Sequence, residues 1–380
     1  MLAVREDKTN VARDVDVVDD AFDVASVDDD DEDVVARALA LARDERLLDA
    51  RRELSRSRAP LRADARIVAD AADAAERWME ALKEHPNGWT RQRSMTSRAS
   101  DAASSVGGAM LAALSLGSSS ASESTVKSSR TRIYYKCDTE RTLSVRVETV
   151  MGRDLLVPLL SVLNESELYG EWLPRWTTPT RLGVRESVKV AQVGRCSQLV
   201  VITCDCPWPL ETRQVVLDAV AFDDMATNGD IGVLLRTKDC ENDPRVPPKP
   251  TEEETTRIDV DGAFLFRRVP DGWANVEGED ACDVEPDDIL TTFGFVVDPK
   301  LEYIPTWLLN FIVRTVIGTL WAAFIRVAEE VRDGKRPKHA ERIERKRAEL
   351  YDWVDERAAR MFCLLYTSDA ADDTPCVDLG

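Results

Sequence analysis

Histidine is nearly missing from this chain. Its 380 residues include only His85 and His339. That excludes His-rich metal centres and argues against a Ser–His–Asp triad. No GxxxxGK[ST] loop, strand-following GxGxxG, GxSxG elbow or HExxH pair is present, so the common phosphate, dinucleotide, hydrolase and metalloprotease signatures are missing. Basic residues are in deficit: 50 Lys and Arg against 70 Asp and Glu, net −20. A phosphate-gripping surface needs the opposite sign, so no nucleic-acid partner is expected. The eight cysteines form no zinc spacing. The first residues show no apolar leader core, so the thiols are read as free in a reducing, cytoplasmic setting. No metal, no cofactor and no enzymatic activity are expected. Carboxylate pairs such as Asp223/Asp224 and Asp287/Asp288 are unremarkable in so acidic a chain, and Asp favours turns.

What is present is unevenly distributed. Residues 1–35 hold 13 acidic and three basic residues, the composition of a disordered, solubilising tail. Residues 36–89 read as helical. One helix spans 34–59. A second spans 64–84, with Ile67, Ala71, Ala75, Trp78 and Leu82 on one face and His85-Pro86-Asn87-Gly88 as its stop. Residues 90–130 form a Ser/Ala-rich linker or insertion, with 13 Ser between 94 and 129.

From residue 131 the texture becomes strand-like. Leu143, Val145 and Val147 alternate with Ser144, Arg146 and Glu148; Val184, Val188 and Val190 share one parity; Phe293, Phe295 and Val297 share another. A helical stretch runs from Leu155 to about Tyr169. Strands, one helix, many strands and a last long helix give an α+β class with an antiparallel sheet.

The most apolar stretch is Trp307–Ile325, 19 residues, long enough to span a bilayer. Asn310 and Arg314 interrupt it, and a central Arg costs about 2.5–3.5 kcal/mol in a bilayer. An amphipathic helix packed on the sheet, with Leu308, Ile312, Thr315 or Val316, Thr319 and Ala323 on one face, fits better. Residues 338–362 carry so much charge of both signs that a solvated, salt-bridged helix is expected.

Two segments carry a family resemblance. They are Pro207-Trp208-Pro209-Leu210-Glu211-Thr212-Arg213-Gln214-Val215-Val216, and Val297-Asp298-Pro299-Lys300-Leu301-Glu302-Tyr303-Ile304-Pro305-Thr306-Trp307-Leu308-Leu309-Asn310. Both resemble START domains, the steroidogenic-acute-regulatory-protein-related lipid-transfer family, and its phosphatidylcholine-transfer branch in particular. Glu171-Trp172-Leu173-Pro174 resembles the Trp that closes that family's first helix. Gln214 departs from the Asp that usually follows the Arg. The resemblance covers residues 131–335.

It implies a helix-grip fold, a curved antiparallel sheet wrapped around a long C-terminal helix. It also implies one lipid, phospholipid or sterol, held in an apolar tunnel, with transient, peripheral membrane contact. Protein partners are not indicated. A lone Arg can hold a phosphate or carboxylate bidentately, so Arg146, Arg185 and Arg213 are candidate ligand contacts. Trp307, Leu308, Phe311, Ile312 and Thr315 are candidates on the lid helix. Trp172 and Trp208 are read as packing residues. A lipid-sensing module working through the N-terminal segments and a helix-grip small-molecule enzyme are the alternatives. Residues 363–380 resemble translated sequencing adapter and are set aside as a non-native tail.

Overall fold

The computed structural model describes residues 29–92, 131–173, 175–176, 182–206, 210–238, 243–249, 255–273, 284–304 and 306–368. Most of the acidic tail, the Ser-rich stretch from 93, Pro207-Trp208-Pro209, Pro305 and residues 369–380 lie outside them.

Three helices open the described chain: α1 (Asp29–Arg43), α2 (Leu47–Leu54) and α3 (Ala63–Lys83). The single helix expected over 34–59 is broken between α1 and α2, where Glu45 takes φ +62°. That conformation cannot continue a helix. α3 closes as expected before Gly88, which sits at φ +78°. Its buried face is the alanine series Ala65, Ala69, Ala72 and Ala75, then Met79 and Leu82. Ile67, expected on that face, is exposed.

Among the described residues eleven strands form one sheet: β1 (Thr90–Gln92), β2 (Thr131–Cys137), β3 (Leu143–Gly152), β4 (Arg175–Trp176), β5 (Leu182–Gln192), β6 (Gln198–Asp205), β7 (Thr212–Asp224), β8 (Asp230–Thr237), β9 (Thr255–Arg257), β10 (Asp259–Arg268) and β11 (Asp288–Asp298). The order is β1-β2-β3-β11-β10-β8-β7-β6-β5-β4. Neighbours along it are antiparallel, and β9 adds a short parallel pairing to β7.

The remaining helices longer than one turn among the described residues are α4 (Leu156–Asn164), α5, α6 (Pro337–Arg345) and α7 (Asp352–Ser368); a single helical turn, Tyr169–Trp172, follows α4. α5 is continuous from Thr306–Phe311 through a π-helical turn, Ile312–Ile317, to Gly318–Arg332. A second π-helical turn, Arg347–Tyr351, leads into α7. Among the described residues no helix is long and apolar enough to cross a membrane.

Strand parity sorts the two faces of the sheet. Leu143, Val145 and Val147 on β3, with Phe264 and Phe266 on β10, join Trp321, Phe324, Ile325 and Ala328 of α5 in the main core. The opposite parity, including Leu234, Ala263 and Leu265, packs under α2 and α3 with Ala72, Ala75 and Leu82. Gly294 on β11 lets α3 lie close: a Cβ there would come within 2.5 Å of Leu82 Cδ2. Both faces of β3 are therefore buried, including the Ser144, Arg146 and Glu148 parity.

The parity expected for β5 does not hold along its length. Bulges between Val184 and Glu186 and between Lys189 and Ala191 reset the alternation. Val184 faces inward, Val188 is exposed, and Val190 packs against the Leu199 cluster. In the sheet order β3 and β5 stand six strand intervals apart, about 29 Å if flat. Both nevertheless contribute to one cavity wall, through Val147 and Val184. The sheet curves to bring them there, with α5 across its concave side. This is a helix-grip fold.

Candidate functional site

The concave side of the sheet and α5 border a partly open cavity of about 380 Å³. The sheet supplies Val147, Val200, Ile202, Leu235 and Phe295 among others; α5 supplies Ile317, Leu320, Trp321 and Phe324. Phe264, Phe293 and Trp321 stack beside it: the two Phe centroids lie 4.1 Å apart, and Trp321 stands 6.3 Å from Phe293. Trp321 Nε1 is satisfied by Thr149 Oγ1 at 2.7 Å, so the indole presents only its apolar ring. The volume falls within the range of small-molecule sites. No described lining residue carries a charge.

One end of the wall is polar. Asn164, Gln198, Tyr169, Tyr351, Cys196, Trp172 and Trp353 gather where α4 ends and α7 begins. The last carbonyls of α4 need partners. Leu163 O accepts from Tyr169 Oη at 2.7 Å and from Gln198 Nε2 at 3.3 Å. Gln198 Oε1 accepts from Ser166 Oγ at 3.1 Å. Burial raises the Tyr169 and Tyr351 phenols and the Cys196 thiol, so all three stay neutral. Cys137, Cys196, Cys204 and Cys206 are free thiols, with Cys204 pushed up to about 12 by burial.

Behind this end lies a strap of ion pairs. Lys338, Arg342 and Lys346, four residues apart along the helical path, face Glu171, Glu167 and Glu165. They fasten the C-terminal segment to the chain that follows α4. Residues 338–362, expected to be solvated, are therefore partly core. Leu350, Tyr351, Val354, Ala358, Met361 and Phe362 are buried, and Leu350, Tyr351, Trp353 and Val354 close the cavity. The π-helical turn Arg347–Tyr351 carries two of these buried residues, Leu350 and Tyr351.

The three candidate arginines stand elsewhere. Arg146 is on the α3 side, paired with Glu148 at 2.6 Å, and donates to the carbonyls of Ala81, Leu82 and Glu84. Arg185 donates through Nε and Nη2 to Asp205 Oδ1 at 2.8 and 2.6 Å, and through Nη2 to Thr212 Oγ1. Arg213 donates to Pro299 O at 3.2 Å and Glu211 O at 3.0 Å. Gln214 spans Thr203 and Arg257, at 3.3 and 2.9 Å. None of the three arginines lines the cavity.

On α5, Leu308 is buried and Ile312 packs on the main core, but neither is a cavity residue. The side chains of Trp307, Phe311 and Thr315 lie outside the described residues. Among the described side chains of α5, the cavity residues are Ile317, Leu320, Trp321 and Phe324. Trp172, read from sequence as packing, lines the cavity and packs on Phe324 at 6.2 Å. Sequence reasoning passed over Asn164, Gln198 and Tyr351; their only signal is a polar residue at a helix end or in a strand.

No family model matches the sequence. No curated protein matches it either. Among solved structures, the chain resembles START lipid-transfer domains. Human STARD10 is 14% identical over 74% of this chain and 86% of that one, with a TM-score of 0.43. Human StAR-related lipid transfer protein 5 is 10% identical over 69% of this chain and 96% of that one, at 0.44. A STAR-related lipid transfer protein from Xanthomonas axonopodis is 20% identical over 55% of this chain and 96% of that one, at 0.36.

Proposed function

We propose that this is an intracellular, non-enzymatic lipid-binding protein. It takes one lipid from a membrane, encloses it in the apolar cavity beneath α5 and delivers it. The observation that carries this reading is a curved sheet and three helices whose inner surfaces leave a large space lined without a single charged residue among those described. Such a space rewards acyl or ring carbons, about 0.8 kcal/mol for each buried CH2, and gives a polar metabolite nothing to offset its lost hydration. In the same reading α5 acts as the lid. A π-helical turn, Ile312–Ile317, lies within it, and such turns are frequent at functional sites.

The test is a blocked cavity. Ala219 and Ala221 both line it. Ala219→Trp or Ala221→Phe in the full chain should keep a cooperative melt and lose lipid uptake, measured by native mass spectrometry after mixing with phosphatidylcholine and cholesterol vesicles. Wild-type protein that takes up neither lipid overturns the reading and directs attention to a small-molecule enzyme on the same fold.

A further inference from the structure

Glu45 stands outside the cavity, at the corner between α1 and α2, yet it braces part of the cavity's wall. Its φ of +62° is one that a side chain disfavours, and the residue is 2% exposed. Its carboxylate enters the turn between β5 and β6. Oε1 accepts from Cys196 N at 2.9 Å and Ser197 N at 3.3 Å, and Oε2 accepts from Ser197 Oγ at 2.7 Å. Hydrogen bonds to a carboxylate are the stronger kind. Gly194 makes room for this approach: a Cβ there would stand 2.5 Å from Glu45 Oε1.

The contact continues to the wall by two routes. Ser197 Oγ accepts from Ala221 N on β7 at 3.3 Å. Asp44 pairs with Arg195 at 2.9 Å, and the Arg195 guanidinium lies over the ring of Trp353 on α7, 4.9 Å from its centroid. Cys196, Ala221 and Trp353 all line the cavity; Asp44 and Glu45 do not. One helix corner thus braces three separate pieces of the wall from behind. A strained backbone persists only where its surroundings over-determine it. The corner therefore depends on the wall as the wall depends on the corner. Lipid carbons packed on Cys196, Ala221 and Trp353 favour the same arrangement of those residues that the seated corner requires.

Resting on the lipid-carrier reading, we infer that Glu45 is a positioning residue for lipid binding: its seating in the β5–β6 turn and the filling of the cavity are coupled. Bound lipid tightens the α1–α2 corner on the sheet, and its departure loosens that corner. Such coupling is reciprocal, so a change that unseats Glu45 weakens lipid binding by the same factor by which lipid favours the seated state.

The experiment uses the full chain with vesicles of dioleoylphosphatidylcholine and of dioleoylphosphatidylcholine with cholesterol. Hydrogen exchange is followed at the Cys196 and Ser197 amides, which donate to Glu45, and across the corner, residues 44–48. In wild type, lipid should slow exchange there about fivefold or more, and change it little over β2, Thr131–Cys137. Glu45→Ala should lower lipid affinity per folded molecule about tenfold. Glu45→Gln, which keeps an acceptor, should recover most of that loss. Gly194→Ala displaces the carboxylate without altering Glu45 and should weaken binding severalfold. The wild-type exchange comparison needs no variant, so the inference does not depend on any of them folding. Equal corner exchange with and without lipid overturns it while lipid carriage stands. So do variants with lowered melting temperatures and wild-type affinity per folded molecule, the result of a purely structural role. Uptake of neither lipid by wild type overturns both.

Discussion

Lys346 Nζ lies 2.7 Å from Glu165 Oε1, and the carboxylate it meets is wholly buried. Tyr351 Oη donates to the same oxygen at 3.2 Å. The pair joins the chain leaving α4 to the segment that leads into α7. Burial alone would raise this carboxyl, but the Lys346 hydrogen bond and charge, with Lys189 nearby, hold it below the ordinary value.

Lys346→Met should leave a buried carboxylate with Lys189 as its remaining cation and only neutral donors, Tyr351 and Asn164, in contact with it. The expected loss is about 3 kcal/mol, the low end for a broken buried pair, read by urea denaturation at pH 7. Glu165→Gln together with Lys346→Met should recover part of it. A single variant as stable as wild type would refute the pairing.

The same carboxyl sets an acid limit. A folded-state value below the unfolded one stabilises the fold above the unfolded pKa, and the contribution fades as pH falls through the folded value. Wild type should therefore lose stability below about pH 4, where free Glu titrates. Glu165→Gln should show a shallower loss across that range.

His339 acts at milder pH. It is buried, with Nδ1 3.2 Å from Ser161 Oγ. Burial lowers it first; Glu165 and Glu171 oppose that, and Arg336 adds to it. A depressed histidine favours the fold while neutral, so stability should fall as pH drops below about 6.5. His339→Gln should flatten the melting temperature between pH 7 and 5.

Arg146 serves architecture. It is 4% exposed and fans across the end of α3. Arg146→Ala should cost about 3–5 kcal/mol, because Glu148 is left buried and the α3 carbonyls lose their donor. Arg146→Lys should restore charge without the fan and recover only part. Lipid affinity per folded molecule should stay at the wild-type value in both.

Gly232 is held small by Phe222. A Cβ there would stand 2.0 Å from Phe222 Cζ. Gly232→Ala should destabilise by about 1–3 kcal/mol through overpacking. Phe222→Leu in the same chain should cost less than the two single changes together.

The fold class was largely legible because periodicity reports burial. The Leu143–Val147 alternation, the α3 stripe from Ala71 to Leu82 and the apolar run after Trp307 all describe real faces. Three things escaped. Arg146 looked like a ligand contact because its partners, the carbonyls at 81, 82 and 84, are backbone atoms distant in sequence. The burial after residue 346 was missed because charge of both signs hides the buried residues Leu350, Tyr351, Val354 and Met361. The inward set on β5 was misread because bulges leave no trace in composition. The cavity's polar end was hidden too, since one Asn, one Gln and one Tyr from three separate elements form no motif.

Val147 and Val354 border the same cavity although one lies on the third strand and the other on the last helix. Closure of that wall is a long-range event, late by the logic of loop entropy. On the ribosome the sheet and α4 can assemble while Leu350 and Val354 are still unmade. Until then the cavity has an open side, and a nascent chain is exposed to whatever apolar molecules surround it. The strap of Lys338, Arg342 and Lys346 to Glu171, Glu167 and Glu165 is then the last fastening of that wall to form.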